Sequence, residues 1–202
     1  MTSGGLRQIR AVFDSASIRV YQAYSDGIAD AALARGAFVC PPFSLARMTW
    51  IKPSFLWMMY RSGWGFKDSG QKRILAVDIS RSGFEKALGQ AVISHYIPDA
   101  AYTHDQWRKD LDKSSVRIQW DPERDLNSSP LNQRSIQIGL RGAAIQQYVF
   151  DWIISITEVT PLAHEIFHLV RDKKYDQAQN LLPKEQVYPL PKELALHIHA
   201  DV

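Results

Sequence analysis

A single carboxylate, Glu158, lies near the end of the last predicted strand, in the sequence IISITEV. A strand periodicity of two places Glu158 on the same face as Ile154 and Ile156. A carboxylate on an apolar strand face must be paired with a cation, be exposed at a cleft, or have a raised pKa. Glu158 is therefore a candidate catalytic residue. The alternative is a strand-end residue that meets solvent or a surface arginine.

Two further predicted strands combine cations with aromatic rings. The first carries Arg19, Tyr21, Gln22 and Tyr24, and the second carries Arg47, Thr49, Trp50 and Lys52. Rings beside cations suit a ligand that has a flat ring and phosphate groups. Alternation places Arg19 and Tyr21 on one face of the first strand, and Gln22 and Tyr24 on the other. The alternative for these residues is a half-exposed sheet edge of amphipathic side chains.

The second of these strands begins the densest stretch of the chain, RMTWIKPSFLWMMYRSGW, residues 47–64. It holds three of the six Trp and three of the four Met, together with Arg47, Lys52 and Arg61. Pro53 fixes a helical φ and is suited to begin a helix over 54–62. That helix is apolar on all sides and is predicted to be buried. The cations and rings at its ends, rather than its middle, are the candidate ligand contacts.

The sequence HEIFH places His164, Glu165 and His168 on one predicted helix. In zinc metalloproteases two such histidines bind the metal and the glutamate is the base. The motif lies within the last forty residues, where little chain remains to build the walls of a peptide-cleaving site. We therefore favour a surface helix and expect no metal, with a zinc hydrolase as an alternative.

The residues Trp120 to Asp125, WDPERD, are predicted to begin a charged loop over 121–133. Carboxylates after a strand are able to bind a metal or act as acid and base, but this spacing matches no specific metal loop. The chain also has no Walker loop, no G-x-G-x-x-G, no G-x-S-x-G and no CxxC pair.

Composition places the chain among ordinary globular proteins. It has 202 residues, 46% of them hydrophobic, and a net charge of +3, which permits a phosphate-bearing ligand. Its one cysteine, Cys40, has no partner for an internal disulfide. The sequence has no apolar run long enough to span a membrane and no apolar core of a signal peptide near its start. We expect a cytoplasmic protein that does not enter membranes.

The order of predicted elements indicates a mixed α+β fold. About six strands, in mostly antiparallel sheets, are interspersed with four or five flanking helices without regular βαβ alternation. We expect residues 1–202 to form one domain. Residues 1–16 are predicted to be a loose N-terminal arm, and residues 172–202 a tail that wraps the surface.

Three motifs carry a resemblance to a known family. They are IRVYQAYSDGIADAALARGAF, the stretch at 47–64, and RSIQIGLRG. In these motifs, and from about Arg10 to Pro161, the chain resembles the family called domain of unknown function 4291. The family label names no reaction.

The element order also resembles ADP-ribosyltransferases of the DarT type, which modify DNA bases. The sequence VYQAY followed by IADAALARG is similar to their NAD-contacting strand and short helix. WIKPSFLWMMY is similar to their next strand and helix, and Glu158 is placed like their catalytic glutamate. The sequence departs from that group at Gln22, Ala23 and Tyr24, where many members have His-Gly-Thr or Arg-Gly.

The resemblance implies an NAD-dependent ADP-ribosyltransferase-like fold and enzyme, with NAD as a substrate and nucleic acid as an acceptor class. It implies that Glu158 is catalytic. The NAD-binding residues it implies are Arg19, Tyr21, Gln22, Tyr24, Arg47, Trp50, Lys52 and Arg61. The main alternative is a non-catalytic module that binds nucleotides or RNA through the same aromatic and basic face.

Overall fold

The computed structural model describes residues 5–98 and 102–201. Over these ranges the strands are β1 (Arg10–Ala11), β2 (Ser17–Tyr24), β3 (Thr49–Ile51), β4 (Arg73–Ser80), β5 (Ala91–Ile93), β6 (Val116–Arg124), β7 (Pro130–Leu140), β8 (Ile153–Glu158) and β9 (Gln186–Val187). The helices are α1 (Asp26–Arg35), α2 (Phe55–Ser62), α3 (Arg81–Gly89), α4 (His104–Lys113), α5 (Ala143–Gln147), α6 (Thr160–Arg171), α7 (Tyr175–Leu181) and α8 (Lys192–His197). No helix within these ranges is long and apolar enough to cross a membrane. The fold is mixed α+β, as the sequence predicts.

Two sheets dominate the molecule. Strands β2, β4 and β8 form a three-stranded antiparallel sheet with β4 at its centre. The second sheet has the order β3-β7-β6-β5, in which β5 is parallel to β6 and the other pairs are antiparallel. The sheets are thus mostly antiparallel, as predicted. A short pair, β1 and β9, is separate from both.

The two large sheets are joined where β2 passes the end of β3. The amide of Tyr21 in β2 donates a hydrogen bond of 2.7 Å to the carbonyl of Lys52, the residue after β3. The predicted strand over 47–52 is shortened to Thr49–Ile51 in the structure. It ends there because the chain turns at Pro53 into α2. This junction brings both ring-and-cation strands to one place.

The larger apolar core lies between the two sheets and their covering helices. Val20 and Val77 enter it from the three-stranded sheet, and Ile118 and Ile138 enter it from the four-stranded sheet. On β6 the apolar positions are buried while Gln119, between two of them, is only half-buried. The strand alternation therefore turns a polar row of β6 away from this core.

A second core lies on the other face of the three-stranded sheet. Tyr21 and Ile74 enter it from β2 and β4, and α2, α6 and α7 close it. Helix α2 begins after Pro53, where the Ser54 hydroxyl accepts a hydrogen bond from the Trp57 amide. The helix ends at Gly63, whose φ of 57° is left-handed. The prediction of a buried helix is confirmed for most of its residues, whereas Tyr60 and Arg61 are exposed.

Residues near both ends of the described chain contribute to the core, which differs from the predicted loose arm at 1–16 and surface tail at 172–202. Residues 1–4 and 202 of these two segments lie outside the described residues. In the arm, β1 pairs with β9, and Ile9 and Ala11 are buried. In the tail, Tyr188 and Ile198 belong to the larger core. The physical reason is that the folded state is stabilised when these apolar side chains leave water. The β1–β9 pairing also supplies hydrogen bonds to the backbone groups of these two short strands.

Helix α3 begins two residues earlier than the sequence pattern indicates. The pattern Ser82-Gly83-Phe84-Glu85 predicts a capping box, with Ser82 as the N-cap and Glu85 three residues on. The hydroxyl of Ser80 instead accepts the hydrogen bond from the Gly83 amide, so the helix starts at Arg81. Glu85 accepts a hydrogen bond from the Tyr188 hydroxyl.

Gly83 lies against an indole ring, and this contact gives a stability prediction. A Cβ atom at position 83 would lie 2.4 Å from Cγ of Trp152. We expect Gly83→Ala to lower the free energy of unfolding by ~1–3 kcal/mol, because overpacking outweighs the better helix propensity of alanine. Gly27→Ala in α1 is the matched control, since nothing lies within 4 Å of its Cβ position. Urea unfolding measures both variants, and equal stabilities would contradict the packing argument.

Candidate functional site

A cleft of about 690 Å³ opens beside the junction of β2 and β3. Its walls come from β2, the loop before β3, β3 itself, α2, the turn before β4, and the polar row of β6 and β7. Six of the predicted site residues line it: Gln22, Tyr24, Arg47, Trp50, Lys52 and Arg61. The cleft therefore joins residues from β2 and from the 47–64 stretch, which are separate in the sequence.

One wall of the cleft is a buried hydrogen-bond network centred on Gln22. Its Nε2 donates to the Tyr24 hydroxyl at 2.8 Å and to the Trp50 carbonyl at 3.3 Å. Its Oε1 accepts from the Tyr148 hydroxyl at 2.6 Å, and the hydroxyls of Tyr24 and Thr49 lie 3.2 Å apart. Burial raises the pKa values of both tyrosines, so they stay protonated. The network ties β2 to β3 and fixes the position of Trp50.

The floor of the cleft is built around Trp50 and the strand beside it. Trp50 is paired with Gly139 of β7, where a Cβ atom would lie 3.0 Å from the indole and 2.8 Å from Sδ of Met48. Glycine at this position therefore allows the side chains of β3 to lie close over β7. The half-buried indole of Trp50 presents a flat apolar surface to the cleft.

Two arginines stand at the rim. Arg47 and Arg61 are both exposed, and Nη1 of Arg61 donates to Oε1 of Gln71 at 3.3 Å. Among residues 5–98 and 102–201, no carboxylate lies within 4 Å of either guanidinium or of the Lys52 amine. The cleft therefore carries positive charge that the described chain does not neutralise locally.

Lys52 lies deeper than the arginines, with its residue only 5% exposed. Its Nζ donates to the Trp50 carbonyl at 3.1 Å and lies 5.6 Å from the centroid of the Trp57 ring. Burial lowers the pKa of Lys52 to about 7, and the charge of Arg61 acts in the same direction against a smaller opposing effect of Asp121. Trp57 and Arg61 lie four residues apart in α2, a spacing that predicts a cation–π pair, but the cation over the Trp57 ring is Lys52.

The lowered pKa of Lys52 has a consequence for stability. Because the folded pKa lies below the unfolded value, the lysine costs no stability above about pH 10.5, and the cost grows as the pH falls toward 7. We expect Lys52→Met to raise the free energy of unfolding by ~2–4 kcal/mol at pH 6, and by much less at pH 10. Urea unfolding at both pH values measures this difference. Lys72→Met is the control, since that lysine is exposed, and a pH-independent effect of Lys52→Met would contradict the argument.

Arg19 and Tyr21 do not share the cleft with the other predicted residues. Tyr21 is 1% exposed, packs edge-on to Phe55 at 5.4 Å, and has a hydroxyl without a hydrogen-bond partner in the described chain. Arg19 forms a bidentate pair with Asp78 at 2.8 and 2.9 Å. The reason is the strand alternation itself, which turns both side chains to the face of β2 opposite Gln22.

Glu158 is also outside the cleft lining. Arg73 binds its two carboxylate oxygens at 2.5 and 2.7 Å and reaches Asp30 of α1 at 2.7 Å. The hydrogen bonds from Arg73 lower the pKa of Glu158 against an opposing effect of burial. Glu158 is in register with Leu75 of β4, which is in register with Gln22 of β2. The carboxylate is thus ionised, paired, and two strands away from the cleft wall.

The HEIFH helix does not form a metal site with its neighbours. The ring of His164 stacks on Phe66 with centroids 4.3 Å apart, while Glu165 and His168 are exposed. Over residues 5–98 and 102–201 no group of three or more His, Cys, Asp or Glu side chains is arranged to hold a metal ion. The zinc-hydrolase alternative therefore lacks a ligand set in that part of the chain.

Sequence reasoning missed the amide groups of the cleft. Gln119 and Gln137 are opposite each other on β6 and β7, and both Nε2 groups donate to Asp121, at 2.9 and 2.8 Å. Asp121 was predicted to lie in a loop, but β6 continues to Arg124 and β7 begins at Pro130. The alternating polar positions within two apolar strands are the signal that could have indicated this row.

The comparisons with known proteins give a family but no activity. A search of curated proteins found no match. The sequence model of one family matches residues 8–188, a range that includes every residue of the cleft lining. The chain therefore belongs to the family described as a domain of unknown function (DUF4291).

Proposed function

We propose that the cleft binds NAD as a substrate and that the protein is an NAD-dependent ADP-ribosyltransferase-like enzyme with nucleic acid as an acceptor class. The observation that carries this proposal is the meeting of two arginines and a buried lysine, none with a carboxylate within 4 Å in the described chain, with one indole in a single cleft. Arg47 and Arg61 are the permanent cations, Lys52 is the lysine, and Trp50 provides the indole. A cleft of about 690 Å³ also falls within the usual range for small-molecule sites.

One ring, the phosphates and the hydroxyls of a dinucleotide have counterparts in this cleft. The Trp50 indole offers a stacking surface for a flat ring. The guanidinium groups of Arg47 and Arg61 are suited to bidentate contact with phosphate oxygens. The amides of Gln119 and Gln137 are held by Asp121 through their nitrogens, which leaves their carbonyl oxygens as hydrogen-bond acceptors. This combination favours a ligand with a ring, hydroxyls and phosphates.

Glu158 has an electrostatic role in the proposal. As nicotinamide leaves, positive charge develops on the ribose, and an ionised carboxylate stabilises that charge. Arg73 keeps Glu158 ionised, and Arg73 is the cross-strand partner of the cleft residue Tyr24. Two strand spacings, ~10 Å, separate Glu158 from Gln22. In this proposal the ribose lies against the wall formed by Gln22 and Tyr24, because the strand that forms this wall belongs to the same sheet as Glu158.

Incubation with NAD labelled in its adenylate group tests the proposed activity. The acceptors are single-stranded DNA, RNA and a mixture of proteins, and both labelled acceptor and free nicotinamide are measured. We expect nicotinamide release together with label on the nucleic acid. If NAD binds and neither product forms, the enzymatic proposal fails.

A non-catalytic module that binds nucleotides or RNA is the second candidate. The observation in its favour is that both oxygens of Glu158 are already bound by Arg73 and lie outside the cleft lining. This candidate predicts binding that weakens with salt and is unchanged by Glu158→Gln. Filter binding of labelled RNA at two salt concentrations is compared with the transfer measurement. Label transfer supports the enzyme, and salt-dependent binding without transfer supports the binding module.

A cytoplasmic location belongs to the same proposal. The single cysteine, Cys40, is exposed and not in a disulfide, which suits a reducing compartment. Cell fractionation of the expressed chain followed by immunodetection tests the location.

A further inference from the structure

The backbone of Lys52 is held by a hydrogen bond to β2 and by the start of α2 that follows it. Its carbonyl accepts the hydrogen bond from the Tyr21 amide at 2.7 Å, and Pro53 and the capped start of α2 follow directly. The side chain is almost fully buried and still lines the cleft. The residue therefore lies at the cleft, and the hydrogen bond to the Trp50 carbonyl holds its amine in one place.

The surroundings of the amine disfavour its charged form. Its nearest contacts are the Trp50 carbonyl and the Trp57 ring, and no carboxylate of the described chain lies within 4 Å. The charged groups that act on it are Arg61 of α2 and Asp121 of β6, and the repulsion by Arg61 is the larger effect. A buried ammonium without an anionic partner is unfavourable, so the neutral amine gains population.

A neutral lysine in a cleft is chemically different from a phosphate clamp. Burial lowers the pKa of Lys52 to about 7, so its free amine is far more populated near neutral pH than that of an exposed lysine. An unperturbed lysine has less than ~0.1% of free amine at pH 7. A free amine has a lone pair and attacks carbonyl carbons, as in Schiff-base lysines.

We propose that Lys52 is a nucleophile that forms an imine with the carbonyl group of a phosphorylated aldehyde or ketone, whose phosphate is bound by Arg47 and Arg61. The Nζ lone pair attacks the carbonyl carbon to give a carbinolamine, with one proton moving from nitrogen to oxygen. The hydroxyl group then leaves together with the remaining proton of the nitrogen, as water, and the C=N bond forms. Addition of water reverses both steps, and no oxidant or reductant is needed.

The inference shares the cleft with the proposed function and goes beyond it. It needs phosphate compounds to enter the cleft, but it needs neither NAD cleavage nor Glu158. NAD binding without an adduct at Lys52 would leave the proposed function intact and overturn this inference. An adduct at Lys52 without NAD binding or transfer would support this inference and overturn the proposed function.

Trapping of the imine with borohydride tests the inference on the unmodified full chain. The probes are pyridoxal 5′-phosphate, which has a ring, an aldehyde and a phosphate, ribose 5-phosphate, and pyridoxal, which lacks the phosphate. Peptide mass spectrometry locates the reduced adducts after short reaction times between pH 6 and 10. Lys67 and Lys72 in the same protein serve as internal controls because both are exposed.

We expect Lys52 to react with pyridoxal 5′-phosphate at least ~10-fold faster than the control lysines at pH 7.5, with a midpoint near pH 7. Pyridoxal is expected to react ~10-fold more slowly than its phosphate, and ADP is expected to protect. Ribose 5-phosphate has no aromatic ring, so its reaction at Lys52 would show that a sugar phosphate is accepted without one. An unmodified Lys52, or a rate no greater than that of Lys67 and Lys72, would overturn the inference. Equal rates for pyridoxal and its phosphate would overturn the phosphate assignment.

Discussion

Replacing Glu158 by glutamine is expected to lower ADP-ribosyl transfer by ~100-fold or more, while NAD binding changes little. The amide keeps the shape of the side chain but removes the negative charge that, in the proposed mechanism, stabilises the ribosyl cation. Because Glu158 also pairs with Arg73, some stability is lost in the same variant. Initial rates of label transfer at saturating NAD separate the catalytic effect from the effect on binding.

The matched control is Asp78→Asn. Asp78 forms a bidentate pair with Arg19 on the same sheet, as Glu158 does with Arg73, and both carboxylates are partly exposed. Both variants remove one charge from such a pair, so comparable losses of stability are expected. Only Glu158→Gln is expected to remove transfer. Equal rates for the two variants would show that Glu158 has no special role.

The rim arginines carry the second large prediction. Replacing Arg47 or Arg61 by alanine is expected to weaken NAD binding ~10-fold each, and replacing both ~100-fold, because charge-assisted hydrogen bonds contribute ~1.5–3 kcal/mol. Both side chains are exposed, so the folded state should tolerate these changes. Calorimetric titration with NAD and with ADP measures the dissociation constants.

Arg35→Ala is the control for charge alone. Arg35 is exposed at the end of α1 and is not among the residues that line the cleft. Its loss is expected to leave the affinity for NAD within about twofold, since exposed charges are largely screened beyond ~10 Å at 0.1 M salt. An effect equal to that of Arg61→Ala would indicate long-range attraction rather than contact with phosphate.

Much of the cleft could be predicted because strand alternation and helix boundaries are local properties. The faces of β2 follow the predicted alternation, with Gln22 and Tyr24 on the face opposite Tyr21. The start of α2 at Pro53 and Ser54 and its end at Gly63 also follow from local signals. Alternation does not say which face of a strand meets a cleft. Tyr21 was therefore predicted as an NAD-binding residue although it lies in the second core, away from the cleft.

Other features depend on contacts between distant parts of the chain. The position of Glu158 relative to the cleft is set by the order of three strands and by Arg73, which the sequence does not reveal. The burial of Lys52 results from the bridge to Tyr21 and the ring of Trp57. The Gln119–Asp121–Gln137 row requires the register of β6 on β7. These pairings join residues that are far apart in the chain. The only sign of them in the sequence is the alternation of polar residues along β6 and β7.

A crystal structure of the protein soaked with NAD shows whether the cleft binds this nucleotide. We expect electron density for NAD in the cleft, with a ring on Trp50, phosphate oxygens within hydrogen-bond distance of Arg47 and Arg61, and the nicotinamide ribose beside Gln22 and Tyr24. Density for NAD at another place, such as the smaller pocket between His95 and His197, would contradict this expectation. An empty cleft at NAD concentrations that saturate binding in solution would contradict it equally.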